Sequence, residues 1–218
     1  MVIVKSKRVL GIFAVVMMSA SMSHADVPLF GEKAKTVRVS EHELQTLQTR
    51  AYREFRKDCC YFGAFAINQA SDVGFFVHGF NSVAIAIEAA ETGCREVSRL
   101  ENVSPDACRL YAYSLPSEVA PTDRKAAGLG VPAREMFTKA YQNEQTKTGY
   151  GAFAISPARG HGASWNWTSP EEARKAALAH CQSGVAAIIA DLGPAAVDWA
   201  KESKTDSCKI IHETAPQS

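Results

Sequence analysis

The apolar and polar positions follow a helical spacing and then a strand-like spacing, and this order occurs twice along the chain. In the segment 41–58 the apolar side chains recur every three or four residues, at Leu44, Leu47, Ala51 and Phe55. This spacing predicts a helix with one apolar stripe. The continuous apolar runs YFGAFAI at 61–67 and YGAFAI at 150–155 are typical of strands buried on both faces. Alternation places Phe65 and Ile67 on one face of the first strand and alanines on the other.

An Ala-rich helix that ends at a cysteine is predicted after each strand pair. The two segments are NSVAIAIEAAETGC at 81–94 and TSPEEARKAALAHC at 168–181. Ser169 is a favoured N-cap residue, and Pro170 suits the first helical turn. The small residues of each helix are expected to face the alanine side of the strand, which allows the helix and the sheet to approach closely.

Five landmarks recur in the same order in the two halves of the chain. They are TRAY (49–52) with TKAY (138–141), GAFAI (63–67) with GAFAI (151–155), Ser82 with Ser169, Cys94 with Cys181, and DACRL (106–110) with DSCKI (206–210). This order predicts an internal duplication of a helix-strand-strand-helix-strand unit. The predicted fold is therefore a disulfide-stapled α+β fold, in which antiparallel hairpins carry helices packed on the sheet.

The predicted organisation follows from the duplication. It comprises a signal peptide at 1–25, a first α+β unit at 40–114, a connecting segment at 115–130, and a second α+β unit at 131–214 with an insertion at 183–205. The connecting segment is rich in proline, glycine and charge, which predicts a surface connection. The insertion predicts a short helix of its own near 195–202.

The N-terminal segment has the features of an export signal. Lys5, Lys7 and Arg8 precede an apolar run at 9–22, and small residues lead up to Ala25. The apolar run is short for a membrane span, although an uncleaved anchor helix is the alternative. We expect cleavage after Ala25, which leaves a periplasmic or secreted bacterial protein with no membrane span.

The charge of the mature chain argues against nucleic acid as a partner. Removal of residues 1–25 takes away three of the 24 basic residues and none of the 23 acidic residues, which leaves a net charge of about −2. The sequence has no polybasic stripe, and a nearly neutral chain gains little affinity from phosphate neutralisation. The expected partner is an unknown protein or glycan in the cell envelope, and no cofactor is indicated.

Six cysteines in an exported chain indicate disulfide bonds first. The duplication favours one equivalent bond in each unit, between Cys94 and Cys108 and between Cys181 and Cys208. Each bond is expected to stabilise the fold by about 3–4 kcal/mol in the chain-entropy description. A metal site formed by these cysteines is the alternative, but neither unit has a C-x-x-C pair.

Cys59 and Cys60 have no counterparts in the second unit, where Lys147 and Thr148 occupy the corresponding positions. Adjacent cysteines can form a vicinal disulfide, bond to another chain or bind a soft metal. A structural vicinal or intermolecular disulfide and a redox or metal role are both open for this pair.

The segment YGAFAISPARGHGASWNWTSPEEARKAALAHC at 150–181, together with SCKII at 207–211, resembles a family of small exported bacterial domains of unknown function. The family unit has a Gly-Ala-hydrophobic-Ala strand, an aromatic strand, an Ala-rich helix ending in Cys, and a Cys that opens the last strand. The long spacing between Cys181 and Cys208 and the extra pair at Cys59 and Cys60 depart from this pattern. The resemblance implies the fold and export, and it supplies no catalytic residues.

The segment GHGASWNW at 160–167 is the most suggestive candidate for binding. Its glycines suit a hairpin turn, and strand alternation would place Trp165 and Trp167 on one face, near His161. Exposed tryptophans can stack on a sugar ring or anchor a partner chain, whereas buried ones pack in a core. We expect Trp165 to be the contact residue and Trp167, beside the cap at Ser169, to be the core residue.

The motifs of common enzyme classes are missing from the sequence. There is no G-x-S-x-G elbow, H-E-x-x-H pair, Walker loop or G-x-G-x-x-G after a strand. We therefore predict a non-enzymatic exported protein that acts as a binding or envelope-associated module. The alternatives are a hydrolase with a site around His161 and Ser164, and a redox or metal role for Cys59 and Cys60.

Overall fold

Two antiparallel sheets with helices packed on them form the α+β structure, a computed structural model that describes residues 29–58, 61–146 and 148–216. The signal peptide predicted at 1–25 and the pair Cys59 and Cys60 lie outside the described residues. The predicted fold class is confirmed.

The first sheet has four strands in the order β1-β4-β2-β3, all antiparallel to their neighbours. Their bounds are β1 (Ala34–Arg38), β2 (Gly63–Asn68), β3 (Gly74–Val77) and β4 (Cys108–Pro116). The helices of this half are α1 (Thr46–Asp58) and α2 (Val83–Leu100), and a 3-10 turn (Pro105–Ala107) leads into β4.

The second sheet has three strands in the order β6-β5-β7. Their bounds are β5 (Tyr150–Ile155), β6 (His161–Trp167) and β7 (Lys209–Thr214). The helix before β5 changes its winding along its length, from α3 (Val131–Glu135) through a π-helix (Met136–Tyr141) to α4 (Gln142–Glu144). Two further helices, α5 (Pro170–Leu192) and α6 (Ala195–Glu202), lie between β6 and β7.

The central strand of each sheet is buried on both faces, as the sequence predicts. In β2, Phe65 and Ile67 pack with Phe55 of α1, while Ala64 and Ala66 pack in the cluster that contains α2. In the second sheet, Phe153 packs with the π-helix, and its alanine neighbours face α5. The repeated GAFAI is therefore a central strand whose large residues meet one helix and whose small residues meet another.

The two sheets share one register around the GAFAI strands. Phe65 pairs with Ala112, and Phe153 pairs with His212. Gly63 pairs with Ser114, and Gly151 pairs with Thr214. The register also shifts at the same step, between the third and fourth residues of each GAFAI run.

Helix α1 begins later than the sequence predicts, at Thr46 rather than near 41. The Asp72 carboxylate accepts hydrogen bonds from the Leu47 and Gln48 amides at 2.9 and 3.2 Å, so the first turn is capped from a distant loop. The buried face carries Gln48 rather than Leu47, whose side chain is 60% exposed. The side-chain amide of Gln48 donates hydrogen bonds to three backbone carbonyls of the segment 68–73, which compensates for the burial of this side chain.

Strand β1 was not predicted. Its burial alternates only between exposed and half-buried residues, so it lacks the apolar alternation of an internal strand. It pairs along the outer edge of β4, with Val37 opposite Tyr113.

The connecting segment is less superficial than predicted. Ala126 and Leu129 are buried, and the Gly128 amide donates to the carbonyl of Asn81 at 3.0 Å. The Gly130 amide donates to the Asn81 side chain at 2.8 Å. The prediction of a surface connection is therefore wrong for the end of this segment, because Asn81 holds it against the core.

The insertion joins the two halves of the molecule. The short helix predicted near 195–202 is present as α6, and α5 continues past Cys181 to Leu192. Ile188, Leu192 and Ala196 pack in the same core cluster as α2 and the alanine face of β2.

Both predicted disulfides are present. Cys94 of α2 bonds to Cys108 at the start of β4, with 6.0 Å between the Cα atoms. Cys181 of α5 bonds to Cys208 just before β7, with 6.1 Å between the Cα atoms. Each bond ties an Ala-rich helix to the beginning of the last strand of its sheet.

The predicted cap at Ser169 is confirmed, since its side chain accepts a hydrogen bond from the Glu172 amide at 3.2 Å. Within the ranges that the structure describes, no helix is both long enough and apolar enough to cross a membrane.

Candidate functional site

A pocket lies where the end of the π-helix meets the outer side of β7. Its volume is about 290 Å³. Its lining is formed by Tyr141, Gln142, Gln145, Thr146, His212, Thr214 and Ala215. These side chains are aromatic, amide, hydroxyl or methyl groups, and none is a carboxylate, an ammonium or a guanidinium. The lining therefore offers hydrogen bonds without a formal charge, apart from protonation of His212.

Tyr141 and His212 form the centre of this pocket. The Tyr141 hydroxyl and His212 Nδ1 are 3.1 Å apart and share a hydrogen bond. The Phe137 ring meets the His212 ring edge to face, with 5.2 Å between the ring centroids. Burial raises the pKa of the Tyr141 phenol, so this hydroxyl keeps its proton at neutral pH. The pair is therefore held in place and supplies a neutral phenol.

The π-helical winding positions Tyr141. Phe137 and Tyr141 are the buried residues of this segment, and their rings stack on each other with 5.6 Å between centroids. Both rings also contact Phe153 on the central strand. Single π-helical turns are frequent at functional sites, because they re-aim a side chain without ending the helix.

The far rim of the pocket is fixed by a loop that is bonded to β6. The side-chain Nε2 of Gln145 donates a hydrogen bond to the Gly149 carbonyl at 2.7 Å, and its Oε1 accepts one from the backbone amide of Asn166 at 3.3 Å. The Thr146 hydroxyl donates to the Asn166 side-chain oxygen at 2.7 Å. These bonds anchor two of the polar lining residues to the second sheet.

In the first sheet, strand β1 lies beside the residues that correspond to His212 and Thr214 of the pocket. His212 corresponds by register to Ala112, and Thr214 corresponds to Ser114. Strand β1 lies beside these residues, with Arg38 opposite Ala112. The Arg38 guanidinium forms an ion pair with Glu41 at 2.7 Å, and the Tyr52 ring, which lies in the TRAY landmark that matches Tyr141, packs against Tyr111 on the same side of the sheet. The second half has a histidine and a pocket where the first half has an alanine and a covering strand.

The two tryptophans of β6 lie on opposite faces, so the expectation that they share a face is wrong. Tyr150 pairs with Trp167 while Ala152 pairs with Ser164, and the register shifts between them. The extra residue is accommodated by Asn166, whose φ is +60°. Trp165 consequently packs against the cluster of Phe137 and Phe153, whereas Trp167 lies beside Tyr150 on the α5 side.

The burial of the tryptophans is also the reverse of the expectation. Trp165, expected to be the contact residue, is partly buried against the aromatic cluster. Trp167, expected in the core, is 40% exposed. The β-bulge at Asn166 accounts for the exchange, because it carries Trp167 past the end of the packed face.

His161 and Ser164 do not form a nucleophile and base pair. Ser164 is 4% exposed, and its hydroxyl donates to the Ala173 carbonyl of α5 at 2.6 Å. His161 lies on the opposite face of β6, and its Nδ1 is 3.0 Å from the Arg159 carbonyl. Burial lowers the pKa of His161. His180 of α5 bonds to the Ala163 carbonyl rather than to a serine.

The four disulfide cysteines are not free to bind a metal. Across the part of the chain that the structure describes, no group of three or more histidine, cysteine or acidic side chains is arranged to hold a metal ion.

The pocket was not predicted from the sequence. Tyr141 enters the sequence analysis only as part of the repeated TKAY, and no sequence motif marks His212. The usable signal was the alignment of the final strands, in which YAYSLP at 111–116 matches IHETAP at 211–216 and an alanine is replaced by histidine.

Comparisons of the chain with protein-family models, with curated proteins and with solved structures find no match.

Proposed function

We propose that the protein is an exported, non-enzymatic binding module, and that its ligand enters the pocket of Tyr141 and His212. The observation that carries the proposal is the pocket itself, in which a phenol, an imidazole and two amides converge. Concave sites with a few convergent polar groups are the usual form of a ligand-binding site.

The chemistry of the lining supports binding rather than catalysis. The Tyr141 phenol is protonated at neutral pH, since burial raises its pKa above the ordinary value, and it can donate a hydrogen bond to a ligand. The serine of the alternative hydrolase is buried against α5, away from His161. The ligand that suits this lining is neutral and rich in hydrogen-bonding groups.

Export and an envelope partner belong to the same proposal. The basic residues and the apolar run of the segment 1–25 support cleavage after Ala25. The disulfides Cys94–Cys108 and Cys181–Cys208 support a periplasmic or secreted location, since disulfides persist in oxidising compartments. The partner is then a protein or a glycan of the cell envelope.

We further propose that the two halves arose by duplication and belong with the small exported domains that the second half resembles. The shared register of the sheets and the equivalent disulfides support this proposal. On this view, the second half kept the pocket open and gained the insertion that joins the halves.

The proposed site is tested by mapping ligand contacts in isotope-labelled mature protein. Soluble peptidoglycan fragments, envelope oligosaccharides and a linear peptide library are titrated separately, and amide and histidine-ring shifts are followed by NMR. We expect one class to shift Tyr141, Gln145 and His212. Gln142→Ala is expected to weaken that binding about tenfold, as loss of a good hydrogen bond in a site does.

Gln142 and Gln182 provide a comparison, because Gln142 lines the pocket whereas Gln182 is exposed on α5. Gln182→Ala is expected to leave the affinity unchanged. Binding that shifts residues elsewhere, or that is equal in the Gln142 and Gln182 variants, would contradict the assignment of the pocket.

A further inference from the structure

The outer edge of β7 has no strand beside it in the described chain, although the matching edge of the first sheet does. Strand β4 is flanked by β2 and β1, whereas β7 is flanked by β5 alone. The residues that β1 covers are 112–116, and the register matches them to 212–216. Both segments end in proline, Pro116 and Pro216.

The hydrogen bonds of β4 in the first sheet indicate which backbone groups of β7 point outward from this edge. On the side of β1, the Tyr111 carbonyl accepts a hydrogen bond from the Val39 amide, and the Ser117 amide donates one to the Lys33 carbonyl. On the side of β2, the Ser114 carbonyl accepts a hydrogen bond from the Phe62 amide. Odd-numbered residues of β4 therefore bond to β1, because the direction alternates along a strand. By register, the amides and carbonyls of Glu213 and Ala215 point away from β5.

The pocket lies on the same edge, where the side chains of an added strand would point. Residues opposite each other on paired strands share a face, so Arg38 and Thr36 of β1 lie on the α1 face beside Ala112 and Ser114. A strand in the matching place on β7 would direct its corresponding side chains beside His212 and Thr214. Both residues line the pocket.

We infer that an extended segment of a partner polypeptide adds to β7 as an antiparallel strand along 212–216, with one side chain inserted into the Tyr141 pocket. This inference rests on the proposed function and specifies its ligand. Strand addition supplies main-chain hydrogen bonds for affinity, and a pocket beside the edge supplies the choice of side chain. The inserted side chain is uncharged and hydrogen-bonding, in keeping with the lining.

A partner peptide fits this edge better than a second copy of the chain. Antiparallel pairing of two β7 strands about Glu213 places Glu213 opposite Glu213 of the other copy, and pairing about Thr214 places Pro216, which has no hydrogen-bonding side chain, opposite His212 at the pocket. Like charges directly opposite each other destabilise a strand pair. The Glu213 carboxylate already binds Arg174 of its own chain, so Arg174 is not free to bridge a second carboxylate.

The test selects linear heptapeptides by phage display on the full mature protein with both disulfides intact. Selected peptides are synthesised, and their affinities are measured by titration calorimetry. We expect them to bind, and we expect Ala215→Pro to weaken binding at least tenfold because it removes an outward amide. Ala215 is exposed, so the change leaves the core intact. Ala34→Pro, at an exposed position on the outer strand of the first sheet, is the control and is expected to bind within twofold of the original protein.

The other outcomes separate this inference from the proposed function. Saccharide fragments that shift the pocket residues, with no peptide selected, would overturn strand addition and leave the pocket assignment standing. Peptides that bind Ala215→Pro and Ala34→Pro equally would also overturn strand addition. A dimer in sedimentation analysis that Ala215→Pro dissociates would identify a second copy as the occupant and overturn the partner peptide. Peptides that require the Ala215 amide but shift none of the Tyr141 pocket would contradict both assignments.

Discussion

At the scale of single residues, Asn81 connects three separate parts of the chain. Its side-chain amide donates to the carbonyls of Ser156 and Gly160 at 2.9 and 3.2 Å, and its side-chain oxygen accepts from the Gly130 amide. The residue is 2% exposed. One side chain thus joins the start of α2, the end of the connecting segment and the β5–β6 turn, and none of these links is visible in the local sequence.

Asn81→Ala is expected to lower the free energy of unfolding by about 3 kcal/mol. The substitution leaves the Ser156 carbonyl and the Gly130 amide without this partner, whereas the Gly160 carbonyl still accepts from the Ser156 amide, and each unsatisfied group costs about 1–3 kcal/mol before relaxation. Urea denaturation of the oxidised protein measures the change. Asn143→Ala is the control, since Asn143 donates only an exposed hydrogen bond to Lys139, and a loss below about 0.5 kcal/mol is expected there. Equal losses in the two variants would show that Asn81 is not a structural link.

At the scale of elements, β6 shows how one residue alters a whole strand. The bulge at Asn166 reverses the side to which Trp167 points and gives the strand a second anchor on the loop at 145–146. A strict alternation over 161–167 would place both tryptophans together. Because the left-handed conformation of Asn166 interrupts that alternation, the two side chains have different environments and are expected to have different energetic weight.

Trp165→Ala is expected to lower the free energy of unfolding by about 2–3 kcal/mol, below the loss for a fully buried Trp, because the indole is only partly buried on the Phe137 cluster. Trp167→Ala is expected to lower it by less than about 1 kcal/mol, since this side chain is 40% exposed. Thermal melts of the two variants, run side by side, measure the difference. A larger loss for Trp167 would show that the bulge does not separate the two environments.

The elements themselves were largely predictable, and the reason lies in local chemistry. The two-sided burial of β2 and β5, the cap at Ser169 and the helix of the insertion all depend on residues within one element. The late start of α1 depends on Asp72, 25 residues beyond Leu47. The pocket also depends on distant residues, because Tyr141 and His212 are 71 positions apart. Spacing within a segment cannot indicate such contacts.

At the scale of the whole molecule, the two halves share a core. The core cluster around α2 contains Ala64 and Ala89 from the first half, and Ala158, Ile188 and Leu192 from the second. The Trp199 indole also donates to the Glu88 carboxylate at 3.3 Å, which links α6 to α2. The insertion, absent from the first half, therefore supplies much of the surface through which the halves stabilise each other.

This shared core predicts that the oxidised protein unfolds in one cooperative transition. Leu192 is 5% exposed in that core, so Leu192→Ala is expected to lower the free energy of unfolding by about 2–4 kcal/mol. Hydrogen exchange should then show the same loss of protection in β2 as in β5, although Leu192 belongs to the second half. Val197→Ala, at a 41% exposed position on α6, is the matched control and is expected to change stability by less than about 0.5 kcal/mol. If β5 lost protection while β2 kept it, the halves would be independent folding units, and the contacts of Ile188 and Leu192 with α2 would contribute little to stability.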